Sequence, residues 1–183
     1  MSPNRIVFLD RDGTINIEQN YLSSVEGMRL LPGAAEGIRM LNKLDCRVVI
    51  VSNQTVVGRG DCSLETLGAI NRRMVELLAD QDAAVDGIYY CPHLPDEGCA
   101  CRKPKTGLLE NAARLFEADL TGSFLVGDKC SDIQAGLTAG AITFLVRTGH
   151  GLEAERTGAC TPHFIVDDLR TAAERISGII HPA

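Results

Sequence analysis

Two acidic pairs and one run of soft ligands stand out along the chain. Asp10 and Asp12 flank one arginine in Asp10-Arg-Asp-Gly-Thr14, directly after the apolar run Arg5-Ile-Val-Phe-Leu9. Asp128 and Asp132 follow a second apolar run, Ser123-Phe-Leu-Val126. Cys91, His93, Cys99 and Cys101 form a C-x-H-x5-C-x-C pattern within eleven residues.

Carboxylates gathered in one place repel one another unless a cation sits between them. Hard oxygen ligands suit Mg2+, which keeps several waters and pairs with phosphate. A carboxylate is also a nucleophile at phosphorus and yields an aspartyl-phosphate. A second carboxylate two residues on can then serve as general acid and base. Gly13 removes a side chain where backbone amides must approach an anion. The equatorial oxygens of a phosphoryl group need partners. Ser52 offers a hydroxyl, and Lys103 in Cys101-Arg-Lys-Pro104 offers a point charge. Singly, each has an ordinary explanation: an Asp after a strand caps turns, Ser52-Asn53 is a loop, and Lys103 is a solvated lysine. It is their coincidence that points to chemistry.

The four Cys and His ligands would close a tetrahedral Zn2+ site. A closed site leaves no place for substrate, so its expected role is structural: folding the loop 91–101 and fixing Arg102 and Lys103, which follow at once. Two disulfides or free thiols are the alternative. Cys46, Cys62, Cys130 and Cys160 are scattered and read as small apolar residues. His150, His163 and His181 lack paired ligand spacing and read as ordinary residues.

The elements that must position these groups alternate between apolar runs and helix-like segments. Strands are expected at Arg5–Leu9, Val48–Val51, Gly87–Tyr90, Ser123–Val126, Ile142–Val146 and Phe164–Val166. Helices are expected from Pro32-Gly33, with Pro in the first turn; from Ser63, with Leu67, Ile70, Met74, Leu77 and Leu78 on one face; over Thr106–Phe116; over Ser131–Ala139, with Ser131 as N-cap; and from Asp168 to about Ile180. Uniformly apolar strands alternating with helices imply a parallel sheet covered on both faces. In such sheets the site lies beyond the carboxyl ends of the strands, where Asp10, Asp12, Ser52, Asn53 and Asp128 fall.

The chain has 183 residues, and 45% of them are hydrophobic. That suits one domain, 1–183. A formal charge of −6 and only four lysines disfavour a phosphate-tracking nucleic-acid face and an anionic membrane surface. The run Ile6–Leu9 stops at an acid and is too short for a signal peptide, and no run is long enough to span a bilayer. A cytoplasmic protein without nucleic-acid or membrane partners is expected, and a monomer, since no helix shows an uncovered apolar face.

Asp10-Arg-Asp-Gly-Thr14, Val51-Ser-Asn-Gln54, Arg102-Lys-Pro104 and Val126-Gly-Asp-Lys129 together resemble the four motifs of the haloacid dehalogenase superfamily, in order along the whole chain. The resemblance implies a Rossmann-like α/β fold, with a central parallel sheet, helices on both faces, a zinc-bound loop and no separate cap domain. Only 17 residues separate Thr14 from Pro32. It also implies a Mg2+-dependent phosphatase. Asp10 would be the nucleophile and Asp12 the general acid and base. Asp10, the backbone carbonyl of Asp12, and Asp128 would hold Mg2+. Ser52 and Lys103 would bind the transferring phosphoryl group. Glu18–Tyr21, Asn53, Gln54, Thr55, Arg59, Arg102 and Lys129 would line a sugar-phosphate pocket, with Asp132 an outer acid. Where relatives often carry Thr, this chain has Ser52 and keeps the hydroxyl.

Within the superfamily, the zinc loop and Arg102-Lys103 resemble the branch that dephosphorylates heptose bisphosphate and histidinol phosphate. Asn53-Gln54, Gly58-Arg-Gly60 and Leu145-Val-Arg-Thr-Gly149 lean towards the 7-phosphate of D-glycero-D-manno-heptose 1,7-bisphosphate, in lipopolysaccharide precursor synthesis. Histidinol phosphate is the alternative substrate. A phosphoacceptor signalling module is the alternative class; it would not need Asp12.

Overall fold

The computed structural model describes residues 5–44 and 46–182. The first four residues of the N-terminal stretch considered above therefore lie outside the described residues. Six strands form one parallel sheet: β1 (Arg5–Leu9), β2 (Cys46–Asn53), β3 (Gly87–Cys91), β4 (Phe124–Gly127), β5 (Ile142–Val146) and β6 (Phe164–Val166), in the order β3-β2-β1-β4-β5-β6. β1 is central, pairing with β2 from Arg5–Cys46 to Leu9–Ile50 and with β4 from Val7–Phe124 to Leu9–Val126. Its residues Ile6 to Leu9 are fully buried. A strand covered on both faces cannot alternate in polarity, which is why it reads as an unbroken apolar run.

Among the described residues seven helices accompany these strands: α1 (Ala34–Leu41), α2 (Thr55–Gly58), α3 (Leu64–Ala79), α4 (Gly107–Phe116), α5 (Cys130–Ala139), α6 (Gly151–Thr157) and α7 (Leu169–Ile180). One sheet face presents Val7, Leu9, Val48, Ile50 and Val126 to α1, α3 and α7, through Ile38, Leu67, Met74 and Ile176. The other presents Ile6, Phe8, Val49, Val51 and Leu125 to α4, through Leu108, Leu109 and Ala112. α5 closes on this second face so tightly that a Cβ at Gly136 would meet the Leu125 and Thr143 side chains.

Local chemistry sets the helix ends. Ser63 caps α3, its Oγ accepting from the Thr66 amide at 3.0 Å; loss of such a cap costs about 1 kcal/mol. Pro32 does not enter α1 as expected. The chain turns at Gly33 with φ 77°, and the helix begins at Ala34. Ser131 is not the N-cap of α5. Lys129 holds that place in an extended conformation, and its amide donates to Asp132 Oδ2 at 3.0 Å, so the helix starts one residue earlier. The short helices α2 and α6 carried no periodic signal. Between β1 and α1 the described residues form only a 3-10 turn, Val25–Gly27, and isolated bridges through Asn16. No cap domain stands there.

Cys130 and Cys160 are joined in a disulfide, with Cα atoms 5.5 Å apart across 30 residues of sequence. This corrects the reading of both as isolated small apolar residues. α6 folds back against β5 and carries the segment after it towards the start of α5, a neighbourhood that sequence spacing does not display. Cys62 is buried, as expected of a small apolar residue.

Candidate active site

β1, β2 and β4 end side by side, so the polar residues that follow them converge. Asp10, Ser52, Lys103, Asp128 and Asp132 are all buried. Lys103 reaches the sheet edge from the segment after the cysteine loop. Its Nζ donates to Asp10 Oδ1 at 2.8 Å and to the Val51 carbonyl at 2.6 Å, and lies 2.7 Å from Asp132 Oδ1. Asn53 pins this segment to the end of β2: its Nδ2 donates to the Lys103 carbonyl, and its Oδ1 accepts from the Lys103 amide, both at 3.0 Å. Burial alone would pull the lysine pKa down, but the charges of Asp10 and Asp132 outweigh it and raise it. Lys103 is a fixed cation.

The carboxylate oxygens of Asp10, Asp128 and Asp132 lie within 4.8 Å of one another. Asp128 Oδ2 accepts from the His150 amide at 2.8 Å, while its Oδ1 is buried without any hydrogen-bond partner. Burial, and then the charge of Asp10, push the Asp128 carboxyl up to about 8. The backbone closes in on the same group: a Cβ at Gly13 or Gly149 would collide with the Asp128 carboxylate. An orphaned buried oxygen among hard donors, on a carboxyl that stays raised despite the nearby Lys129 charge, fits a divalent metal such as Mg2+. Asp132 is committed to Lys103 and to the Lys129 amide. The Asp12 carboxylate is not in the cluster.

Asp12 points elsewhere. Its oxygens accept from Arg11, from Asn16 Nδ2 at 2.9 Å and from Gln54 Nε2 at 2.7 Å. Burial raises its pKa, but the adjacent Arg11 guanidinium and these hydrogen bonds outweigh burial and lower it. Gln54 Nε2 also donates to Ser52 Oγ at 2.7 Å, so one amide links the two groups.

A cleft of about 350 Å³ opens beside Asp12 and Gln54. Of the expected pocket residues, Glu18, Tyr21, Asn53, Gln54, Thr55, Arg102 and Lys129 line it, as does Asn20. Lys129 Nζ donates to Glu18 Oε2 at 2.8 Å. Arg59 does not line it. Its guanidinium stacks 4.4 Å over the Tyr21 ring and pairs with Asp61 at 3.2 Å, so it braces the rim. Ser131, expected only as a helix cap, and His150 also line the cleft. The His150 ring stands 3.4 Å from Glu18 Oε2, which corrects its reading as an ordinary residue. Both follow strand ends, and that position was the available signal.

Beside the cleft, one ligand atom from each of Cys91, His93, Cys99 and Cys101 falls within 4.8 Å of the others. Cys91 Sγ lies 3.4 Å, and Cys101 Sγ 3.3 Å, from His93 Nδ1. Such a knot of soft ligands could bind a metal ion. Burial and the Cys101 thiol push Cys91 up to about 12. For Cys99 burial acts upwards, yet hydrogen bonds led by the Arg102 amide bring it down to about 7.

The HAD-hydrolase-like family profile matches residues 100–172. A D-glycero-beta-D-manno-heptose-1,7-bisphosphate 7-phosphatase of Pseudomonas putida is 39% identical over 94% of this chain and 99% of its own length. This chain belongs to the haloacid dehalogenase superfamily, in the family of that phosphatase. The Escherichia coli K12 phosphatase of the same name is 37% identical over 84% of each chain. The crystal structure of D,D-heptose 1,7-bisphosphate phosphatase from Bordetella bronchiseptica, complexed with magnesium and phosphate, superposes with a TM-score of 0.90. It is 37% identical and covers 96% of this chain and 99% of its own. The chain is thus a phosphoric monoester hydrolase by family, which disfavours the phosphoacceptor reading.

Proposed function

We propose that this protein removes the 7-phosphate of D-glycero-D-manno-heptose 1,7-bisphosphate through an aspartyl-phosphate on Asp10. The observation that carries the chemistry is the placement of Asp10 between a fixed cation, Lys103, and the orphaned Asp128 oxygen. The heptose substrate is supported by the names of full-length relatives at 37–39% identity. The same reading places the enzyme in the cytoplasm as a monomer, in heptose and lipopolysaccharide precursor synthesis. No described helix is long and apolar enough to cross a membrane.

Asp10, the Asp12 backbone carbonyl and Asp128 would hold Mg2+, which when bound neutralises phosphoryl charge and draws Asp10 and the phosphate together. Asp10 attacks phosphorus as the bond to the sugar oxygen breaks, and Asp12, ionised at rest beside Arg11, passes to that oxygen the proton it takes up as the phosphate ester binds. Asp12 then accepts a proton from the water that attacks phosphorus and frees Asp10. Ser52 and Lys103 hold the transferring oxygens. Arg102 and Lys129, both lining the cleft, suit the remaining phosphate, and Glu18, Tyr21, Asn53, Gln54 and Thr55 suit the sugar. The four-ligand loop is read as a structural Zn2+ site that fixes Arg102 and Lys103.

The test is phosphate release with Mg2+, comparing kcat/KM for heptose 1,7-bisphosphate and histidinol phosphate, with Asp10→Asn as blank. A preference of about 100-fold, or 2.7 kcal/mol, for the heptose supports the reading. Equal rates, or a preference for histidinol phosphate, would overturn the substrate.

A further inference from the structure

Arg11 is fully buried, although its neighbours in the sequence serve the cleft. A buried guanidinium is costly unless its donors are met. Here they are. Nε donates to Asp12 Oδ1 at 3.2 Å, and Nη2 to Asp12 Oδ2 at 2.9 Å and Gln54 Oε1 at 2.9 Å. Nη1 donates to Asn71 Oδ1 at 3.0 Å. Asn71 sits on the buried row of α3, beside Ile70 and Met74, where an amide side chain has no packing advantage over leucine. α3 carries none of the site motifs. Asn71 is its one side chain shown bonded into the constellation around Asp12.

We propose that Arg11 and Asn71 are positioning residues for Asp12. The planar guanidinium grips the Asp12 carboxylate with its Nε and Nη2 edge, which fixes the plane of the carboxylate. Asn71 holds Nη1 and Gln54 the second hydrogen of Nη2, which resists rotation of the fork. The carboxylate is thereby presented at the cleft wall in one orientation, instead of sampling the rotamers open to a free aspartate. Proton delivery to a leaving oxygen depends on that orientation. The inference rests on the proposed role of Asp12 as general acid.

A sugar alkoxide cannot depart without a proton, whereas p-nitrophenolate can. A positioning defect at Asp12 therefore separates the two leaving groups in the phosphorylation step. The rates to measure are single-turnover rates of Arg11→Met and Asn71→Leu on heptose 1,7-bisphosphate and on p-nitrophenyl phosphate, together with KM. For the sugar phosphate, Arg11→Met is expected to lose about 100-fold in rate with KM within about threefold, and Asn71→Leu about tenfold. On the aryl ester both should lose less than about fivefold. A crystal structure of Asn71→Leu should show Asp12 in more than one rotamer. Equal losses on both esters, a rise in KM alone, or an unmoved Asp12 with full activity would overturn the proposal. Should Arg11→Met not fold, Asn71→Leu decides alone, since it removes no charge from the core and frees Arg11 Nη1. Absence of sugar-phosphate turnover in the unaltered protein would instead refute the reading of function.

Discussion

Lys103 Nζ lies 2.8 Å from Asp10 Oδ1, with the two side chains 1% and 6% exposed. The same nitrogen holds Asp132 at 2.7 Å. One cation thus compensates two buried acids. Removing one partner of a buried pair leaves uncompensated charge, at a cost of about 3–5 kcal/mol. Lys103→Met should lose stability on that order in chelator and lose turnover by more than about 100-fold. Mg2+ should restore part of the stability and none of the turnover. Urea denaturation with and without Mg2+ measures the first, and phosphate release the second.

Asp128 belongs to the same carboxylate cluster, and the nearby Lys129 charge only partly offsets its burial. Its carboxyl ordinarily titrates near 3.8 and is pushed up to about 8 here, by burial first and then by the charge of Asp10. Between those values the folded protein keeps a proton that the unfolded chain has released. Stability of the metal-free protein is therefore full on the acid side of this window and falls as pH rises towards about 8. Burial raises Asp132 too, with the same sign. Mg2+ competes with the proton, so its upward shift of Tm should grow with pH. Thermal scans in chelator and in Mg2+ across the window check both trends. A metal-free Tm that rises through it would assign the window to other groups.

Gly13 has φ +85° and Gly149 φ +56°, and a methyl group at either would strike the Asp128 carboxylate. Gly13→Ala suffers both the strained backbone and the collision. It should weaken Mg2+ binding and cut kcat by at least about tenfold, as small displacements at a reacting centre do. Titrating activity against Mg2+ separates the two effects. Unchanged Mg2+ dependence would show that Asp128 can shift without consequence.

In the cysteine loop Cys99 is the more acidic thiol, at about 7, and Cys91 the least, pushed up to about 12. Thiolate is the reactive form. In chelator, iodoacetamide near pH 7.5 should label Cys99 before Cys91; with Zn2+ added, both should be protected if the loop binds it. Cys99→Ser should lower bound zinc and turnover together, because Lys105 Nζ donates to the Cys99 carbonyl at 2.6 Å and Lys103 follows Cys101 by two residues. Normal turnover in a zinc-free variant would sever the loop from the active site. Peptide mapping without reductant should also find Cys130 linked to Cys160, with Cys62, Cys91, Cys99 and Cys101 as thiols.

What could be read along the chain was contiguous. The unbroken apolar runs announced a two-sided parallel sheet because a doubly covered strand has no polar face. The strand-end rule then placed Asp10, Ser52 and Asp128 together, and the four cysteine-loop ligands lie close enough in sequence to meet in any compact loop. Other features were settled only by tertiary structure. Arg11 meets Asn71 across 60 residues, Lys129 meets Glu18 across 111, and Cys130 meets Cys160 across 30. Arg59, expected in the pocket, turned to Tyr21 at its rim, and His150 came in beside Glu18. Such pairings depend on how helices settle over the sheet as apolar area is buried. The chemistry was therefore local and legible, while the company each group keeps was decided by packing.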